Sequence, residues 1–388
     1  MQENQRWQAV FRPPLFYQPT TLLSEGALER RLRRDRGGGA LTYPSVAARA
    51  SFQLREHPLS MSESPVSIAD PVAISEGVEH FRDGRFFNPG VPDQSFLDVI
   101  QWMRTRKIGP WRKWIPSTPG APPPPAVEGA ALRVTFVNHA TVLLQTGGCN
   151  ILTDPVWSRR VSPVSFTGPQ RHRDPGIRFE DLPAIHCILI SHNHYDHLDL
   201  PTLRRLAAAH DPEIFCPLGV GSKVRRAGLE RVREMDWWQH QSWQGIGVHC
   251  VPAQHFSART PFDRNRTLWC GWMLETSCGR VYFAGDTGFG PLFQAIAERF
   301  APIRLALLPI GAYEPEWFMG PVHMTPEQAI EAKSILRASL AAAIHFGTFA
   351  LADDGETEPV NRLRMALRDR PGAETFWVLE EGEGRLLP

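Results

Sequence analysis

Lysine is scarce in this chain. Only Lys107, Lys113, Lys223 and Lys333 occur among 42 basic residues, so arginine carries nearly all the positive charge. Those cations are balanced by 41 acids to a net +1, which excludes a global field able to gather nucleic acid or an acidic partner. No run approaches the roughly 20 apolar residues that a membrane-crossing helix needs. The amino terminus, MQENQRWQAVFRPPLFYQP, has no apolar core of signal-peptide length. Cysteine is sparse too: Cys149, Cys187, Cys216, Cys250, Cys270 and Cys278 are scattered and form no CxxC pair. A disulfide framework is not expected, and a reducing, cytoplasmic compartment is. Any membrane attachment would be peripheral.

What is present describes a soluble globular protein: 388 residues, 42% apolar and 21% charged, enough for one large domain with extensions. Residues 1–60 hold nine arginines against five acids, including Arg30, Arg31, Arg33, Arg34 and Arg36 before a triple glycine, and show no helical or strand period. They read as a disordered basic extension, with Met61 open as an alternative start. Residues 61–125 form an N-terminal segment that carries an amphipathic helix and a stiff proline-rich linker, PGAPPPP. In 94–107 the stripe Phe96, Leu97, Ile100 and Met103 has helical spacing, Trp102 flanks it, and cations and tryptophans continue to 114. Two readings stand for 94–114: a helix lying on a membrane surface, or one docked on the main domain. Residues 126–388 alternate short β-rich runs with helical stretches, which predicts one α/β (α+β) domain. The strands expected include Arg133–Phe136, Ile188–Ile190, Ile246–Val251 and Trp269–Leu274. Leu200–Ala209, Pro291–Phe300 and Pro326–Leu336 are the clearest helices.

The chemistry concentrates in SHNHYDHLDL, residues 191–200. Three histidines and an aspartate fall within six positions directly after an apolar run, in a chain of only 14 histidines. HxHxDH cannot put all its ligands on one face of a helix or strand; it suits a loop leaving a strand, with side chains splayed toward two neighbouring points. Imidazole and carboxylate without thiolate suit zinc, with manganese and iron not excluded. Further candidates sit at strand ends: His255 in VPAQHFSART, Asp286 in VYFAGDTGFG, and His345 in AAAIHFGTFA. His192, His194, Asp196, His197, His255, Asp286 and His345 together make seven ligands, which fits two metals if one carboxylate bridges them. Two such cations about 4 Å apart hold a shared water as hydroxide.

HxHxDH, then His, GDTG and His, in that order, resembles the metallo-β-lactamase fold superfamily of hydrolases over about 132–388. That resemblance implies an αββα four-layer sandwich with an N-terminal extension. It implies two zinc ions, His192, His194 and His255 holding one, Asp196, His197 and His345 the other, and Asp286 between them. The blocks ISHNHYDHLD, LTDPVWSRRVSP, MDWW, PIGAYEPEWFM and AIHFGTFALA, with DGRFFNP at 83–89, are similar to the N-acylphosphatidylethanolamine-hydrolysing phospholipase D family. The similarity extends over roughly 80–388. The substrate implied is an N-acylated phospholipid; the products are phosphatidate and an N-acylethanolamine. Two positions depart from the family pattern. Asn138 precedes His139 where glycine is common, and Val322 precedes His323 where a polar side chain is expected.

A phosphodiester is anionic, and attack by hydroxide adds charge that two divalent cations would neutralise. Asp286 and Asp196 would position metals and nucleophile, and His323 is the candidate general acid, or else only the residue leading into a helix at Thr325-Pro326. Asp154 and Asp199 are candidate partners for the second nitrogens of ligand histidines, Asp154 favoured by the resemblance. Tyr195 and Tyr313 could contact phosphate oxygens or simply pack. The alternative within enzymes is a soluble metallo-hydrolase of a lactone or a non-lipid phosphodiester. A nuclease lacks support in charge or motif, and a metal-bound sensor has no need of seven intact ligands. The sequence leaves a homodimer open.

Overall fold

The computed structural model describes residues 77–387. The expectations for 1–60, and the part of 61–125 before Gly77, lie outside the described residues. The described chain opens with a two-stranded ribbon, β1 (Phe81–Arg82) and β2 (Arg85–Phe86), and a helix, α1 (Phe96–Thr105). A capping box starts α1: the Ser95 side chain accepts from the Asp98 backbone, and Asp98 returns the bond.

Two seven-stranded sheets follow. The first uses β3 (Leu132–Asn138), β4 (Thr141–Thr146), β5 (Cys149–Thr153), β6 (Cys187–Leu189), β7 (Glu213–Pro217) and β8 (Val232–Met235). The second uses β9 (His240–Trp243), β10 (Ile246–Val251), β11 (Gly271–Thr276), β12 (Gly279–Phe283), β13 (Ile303–Pro309), β14 (Ala338–Ile344) and β15 (Phe376–Trp377). The last strand, β16 (Gly384–Leu386), returns to the edge of the first sheet, whose order is β16-β3-β4-β5-β6-β7-β8. The second runs β15-β14-β13-β12-β11-β10-β9. Both are mixed, with β5 to β8 parallel in one and β12 to β15 parallel in the other.

Alternation of side chains makes this a four-layer sandwich. Leu144, Ile151, Leu189 and Phe215 of the first sheet share one core with Val248, Cys250, Trp272 and Leu274 of the second. Their neighbours Leu143, Leu152, Ile188 and Ile214 face the other way and bury Leu203, Leu206 and Val224 of two outer helices, α2 (Leu200–Ala209) and α3 (Gly221–Arg225). On the far side, α4 (Leu292–Phe300) and α6 (Pro326–Ile335) cover the second sheet; between them in sequence lies the short α5 (Glu316–Met319), and α7 (Glu358–Leu367) packs on α6. Each fully buried Leu, Ile or Phe here contributes about 1.5–3 kcal/mol relative to exposure. All six cysteines are buried and unpaired.

The expected strand Ile246–Val251 and helix Leu200–Ala209 match their elements residue for residue. Trp269–Leu274 instead begins at Gly271, because Cys270 donates its N–H across to Ser191 rather than to a strand neighbour. Leu97 and Met103 of the stripe predicted for α1 lie off its docked face. Val99 and Trp102 pack on Ala312, Phe318 and Met319, Trp102 stacks on Phe318 at 4.9 Å, and Arg106 covers the indole at 4.5 Å. Leu97 and Met103 stay 74% and 66% exposed. The proline-rich run lies against the first sheet, where the Pro124 and Pro125 carbonyls accept from Gln145 and Asn150. Among the described residues no helix is long and apolar enough to cross a membrane.

Candidate metal centre

The strand directions gather the polar residues at one edge. Pairing runs β3 and β5 in the same sense as β6, and β10 in the same sense as β12 and β14, so all six end on the same side of their sheets. His139 follows β3, Asp154 follows β5, and the 192–197 loop leaves β6; His255 lies beyond β10, Asp286 beyond β12, and His345 directly after β14. The two edges are laced together. Trp272 donates its indole N–H to the Ile190 carbonyl at 3.0 Å, Cys270 N–H reaches Ser191 at 2.9 Å, and His345 N–H reaches His139 at 2.8 Å. Gly285, at φ +61°, lets Asp286 approach this loop, since a Cβ there would sit 2.6 Å from that of Ser191.

All seven predicted ligands converge. His194 Nδ1 lies 2.8 Å from His192 Nε2 and 3.2 Å from His255 Nε2, a three-imidazole cluster. Asp196 Oδ2 lies 3.3 Å from His197 Nε2 and 3.6 Å from His345 Nε2, the second cluster. Asp286 Oδ2 touches both: it is 3.0 Å from His197, 3.1 Å from His345, 3.8 Å from His255 and 4.0 Å from His192, each measured to Nε2. Four imidazole nitrogens facing one carboxylate oxygen, with His197 Nε2, His345 Nε2 and Asp286 Oδ1 buried and lacking hydrogen-bond partners, is a donor set suited to cations.

The outer partners fix the tautomers. Asp154 accepts from His197 Nδ1 at 2.7 Å and from the Ser191 hydroxyl, which in turn accepts from His192 Nδ1 at 2.8 Å. One buried carboxylate thereby orients a histidine in each cluster. His255 Nδ1 donates to the Val322 carbonyl at 3.0 Å. With Nδ1 engaged in each case, Nε2 is the nitrogen turned toward the centre.

Sequence reasoning assigned no part to three residues that matter here. His139 donates from Nε2 to Asp196 Oδ2 at 3.0 Å, and its ring lies 4.1 Å from that of His345. Its signal was present, a histidine ending an apolar strand, as with His345. Ser191 is the relay just described. Arg259 donates to the Asn193 and Leu198 carbonyls at 2.8 and 2.9 Å and lies 3.8 Å over the Tyr195 ring, so it clamps the ligand loop.

Burial sets the proton inventory. It drives His192 and His255 well below the ordinary imidazole value and His194 down to about 4. Burial would do the same to His345, but Asp286 and Asp196 push it up to about 9; His197 is raised well above its usual value by Asp286, Asp196 and Asp154 against the same burial. Asp286 and Asp196, which burial alone would raise, are held well below the carboxylate range by those imidazoles.

Three predicted residues do not join the cluster. Asp199 reaches no ligand histidine; its oxygens accept from Ser158 N, Ser158 Oγ and Thr202 Oγ1, tying the 155–158 turn to the start of α2. The Tyr195 hydroxyl donates to the Arg259 carbonyl at 3.1 Å while its ring packs with Val156, Val161 and Phe349. Tyr313 is fully buried beneath Arg362, its hydroxyl turned toward Glu358. His323 does arrive: its ring lies 5.1 Å from His255 and 5.4 Å from His345, across both clusters. Burial lowers it to about 4, so it is neutral at pH 7.

Residues 149–346 match the Beta-lactamase superfamily domain, a span that holds all seven candidate ligands. An uncharacterized protein of Mycobacterium tuberculosis is 36% identical over 87% of this chain and 91% of its own length. N-acyl-phosphatidylethanolamine-hydrolyzing phospholipase D 1 of Caenorhabditis elegans is 37% identical over 66% of this chain and 75% of its own. Among solved structures, an isothiocyanate hydrolase from Delia radicum gut bacteria superposes with a TM-score of 0.52 at 20% identity, covering 65% of this chain and 98% of that one, which shows the shared fold. The chain thus belongs to the β-lactamase superfamily, among relatives that include N-acyl-phosphatidylethanolamine-hydrolysing phospholipase D, and is a metal-dependent hydrolase of the metallo-β-lactamase fold.

Proposed function

We propose that the chain hydrolyses N-acylphosphatidylethanolamine to phosphatidate and an N-acylethanolamine, with two zinc ions in the paired clusters. The observation that carries a dinuclear reading is Asp286 Oδ2, which faces four imidazole nitrogens within 4.0 Å. The lipid substrate is supported by the Caenorhabditis elegans relative, of which this chain covers 75%. His192, His194 and His255 would hold one ion, Asp196, His197 and His345 the other, with Asp286 shared. Bound there, two divalent cations supply an ionised water at neutral pH and offset the charge of a phosphodiester.

The chain's own residues do the rest. Asp154 and Ser191 hold His192 and His197 with Nε2 inward, and Val322 does so for His255. Every ligand but His194 is 9% exposed or less, which removes bulk water that would screen the charges. His323 spans both clusters as a neutral ring. A neutral imidazole has one N–H to donate as a hydrogen bond to the departing ethanolamine oxygen, but no surplus proton, so its part is narrower than that of a general acid and the proton comes from water. The membrane-bound substrate would be met at the surface of a bilayer.

Hydrolysis in ¹⁸O-water tests this. Zinc-loaded protein on N-acylphosphatidylethanolamine vesicles is expected to place the label in phosphatidate, as attack at phosphorus requires. Label in the N-acylethanolamine refutes the chemistry; turnover of soluble lactones or diesters with none of the lipid refutes the substrate.

A further inference from the structure

A cavity of about 320 Å³ opens beside the metal centre, on the other side of the ligand loop: Tyr195 and Leu198 of that loop form part of its wall. Three arginines, Arg160, Arg204 and Arg259, line it with a single acid, Asp199. Asp199 is already committed to Ser158 and Thr202, at 2.6 to 3.0 Å. Arg160 holds the Gly168 carbonyl at 2.6 Å, and Arg259 holds the ligand loop. Arg204, one turn into α2, has no hydrogen-bond or ion-pair partner among the described residues. In a chain whose net charge is only +1, three cations around one engaged carboxylate are a local excess that suits an anion.

The flanks of this cavity are apolar and exposed. Ser162 and Pro163 of its wall begin a loop closed at its base by the Arg160–Gln170 bridge and by Val161 N–H to the Pro169 carbonyl. At the tip of that loop Phe166 is 80% exposed, with Val164 beside it at 37%. Three residues past Arg259, Phe262 is 81% exposed on a turn held by Asp263, whose Oδ1 accepts from the Arg259 and Thr260 N–H groups. A single exposed phenylalanine needs no explanation. Two on turns that each start from the wall of an arginine-lined cavity form a pattern: a cationic seat for a phosphate beside side chains able to enter an acyl layer.

We propose that this cavity is a non-catalytic headgroup site for an anionic phospholipid in a bilayer. The lipid phosphate meets Arg160 and Arg204, while Phe166 and Phe262 enter the interface. The site needs nothing from the metal centre, so it stands or falls apart from the substrate proposed above. Its place against the ligand loop brings the bilayer to the edge of the clusters.

Pelleting of the full chain with vesicles of phosphatidylcholine, alone or with phosphatidylglycerol, decides it, read alongside thermal melts that confirm each variant folds. Arg204→Gln is expected to lower partition onto the phosphatidylglycerol vesicles about five-fold, the effect of one surface cation, and to leave partition onto pure phosphatidylcholine unchanged. Phe166→Ser and Phe262→Ser are expected to lower partition onto both. Folded variants that pellet like the parent chain overturn the proposal. Binding of inorganic phosphate that Arg204→Gln abolishes, while partition of the parent chain onto phosphatidylglycerol vesicles is unchanged by millimolar phosphate, also overturns it, since the site would then serve a free anion.

Discussion

The two clusters should differ sharply in how many protons they release on taking up zinc. In the metal-free centre His192, His194 and His255 are unprotonated at pH 7, because burial holds His194 at about 4 and the other two well below the imidazole range. The second cluster is the reverse. Asp286 and Asp196 hold His345 at about 9 and His197 well above its usual value, so both rings carry a proton at pH 7 while both carboxylates are ionised. A cation entering the first cluster displaces about no protons, and one entering the second displaces about two. The sign follows from raised values: below them protons compete with the metal, so affinity falls as pH falls. Where both rings keep their protons, well below the value of about 9 for His345, the second affinity should change about 100-fold per pH unit, or about 2.7 kcal/mol per unit, and less steeply as pH nears 9. Calorimetric zinc titrations in buffers of different ionisation heat count the protons directly. Equal counts for the two ions, or less than one for the second, would refute the assignment of charge.

Asp286→Asn keeps the shape but removes the charge that four imidazoles share; zinc content is expected to fall from about two equivalents to about one, with hydrolysis at background and the melt near the parent's. Atomic absorption and a lipid assay read this out, and retained activity with two zinc ions would sink the bridging role. His139→Phe should lower affinity for the second ion about 10–100-fold, the usual effect of losing an outer partner of a ligand, and leave the first unchanged. Equal weakening of both ions by competition with a chelator would show that His139 acts through the fold alone.

Much of this centre was legible because its residues are rare and ordered along the chain. HxHxDH after a buried run, then His255, Asp286 and His345 at strand ends, gives a donor set able to bind metal before any fold is known. One α/β domain was legible in the alternation of short β-rich runs with helical stretches, while the four-layer sandwich came from the resemblance that the motifs carry. What failed was anything set by direction rather than type. Asp199 lies two residues past His197, yet it faces Ser158 and Thr202 because it starts α2. Tyr195 sits inside the motif, but the turn that aims its neighbours inward aims its ring at Val156 and Phe349. In α1 Leu97 and Met103 of the predicted stripe lie off the docked face, where Trp102 stacks on Phe318 and Arg106 pairs with Asp353. His139 shows the opposite failure: its pattern equals that of His345, but one histidine touching a ligand cannot be told from a ligand without distances.

The backbone explains how so many polar groups reach one point. His139, Asp154 and His345 are each the first residue after a strand, and each is left-handed, at φ +49°, +31° and +60°. A strand continued by one more extended residue would send these side chains along the sheet face. The reversal of φ turns the chain aside and swings the side chain over the strand end, toward the gap between the sheets. For non-glycine residues such backbone costs on the order of 1–3 kcal/mol each, which the surroundings must offset. Bonds at the turns help to hold them: the His139 carbonyl, placed by the bend, accepts from His345 N–H, while His139 N–H reaches Thr348 Oγ1 and Asp154 N–H the Leu189 carbonyl. Glycine would relieve the strain at all three positions and would remove the side chain that the strain serves to place. The cost is therefore tied to function, and the sheets, with their buried Trp272 and Phe215, supply the stability that lets the centre keep it.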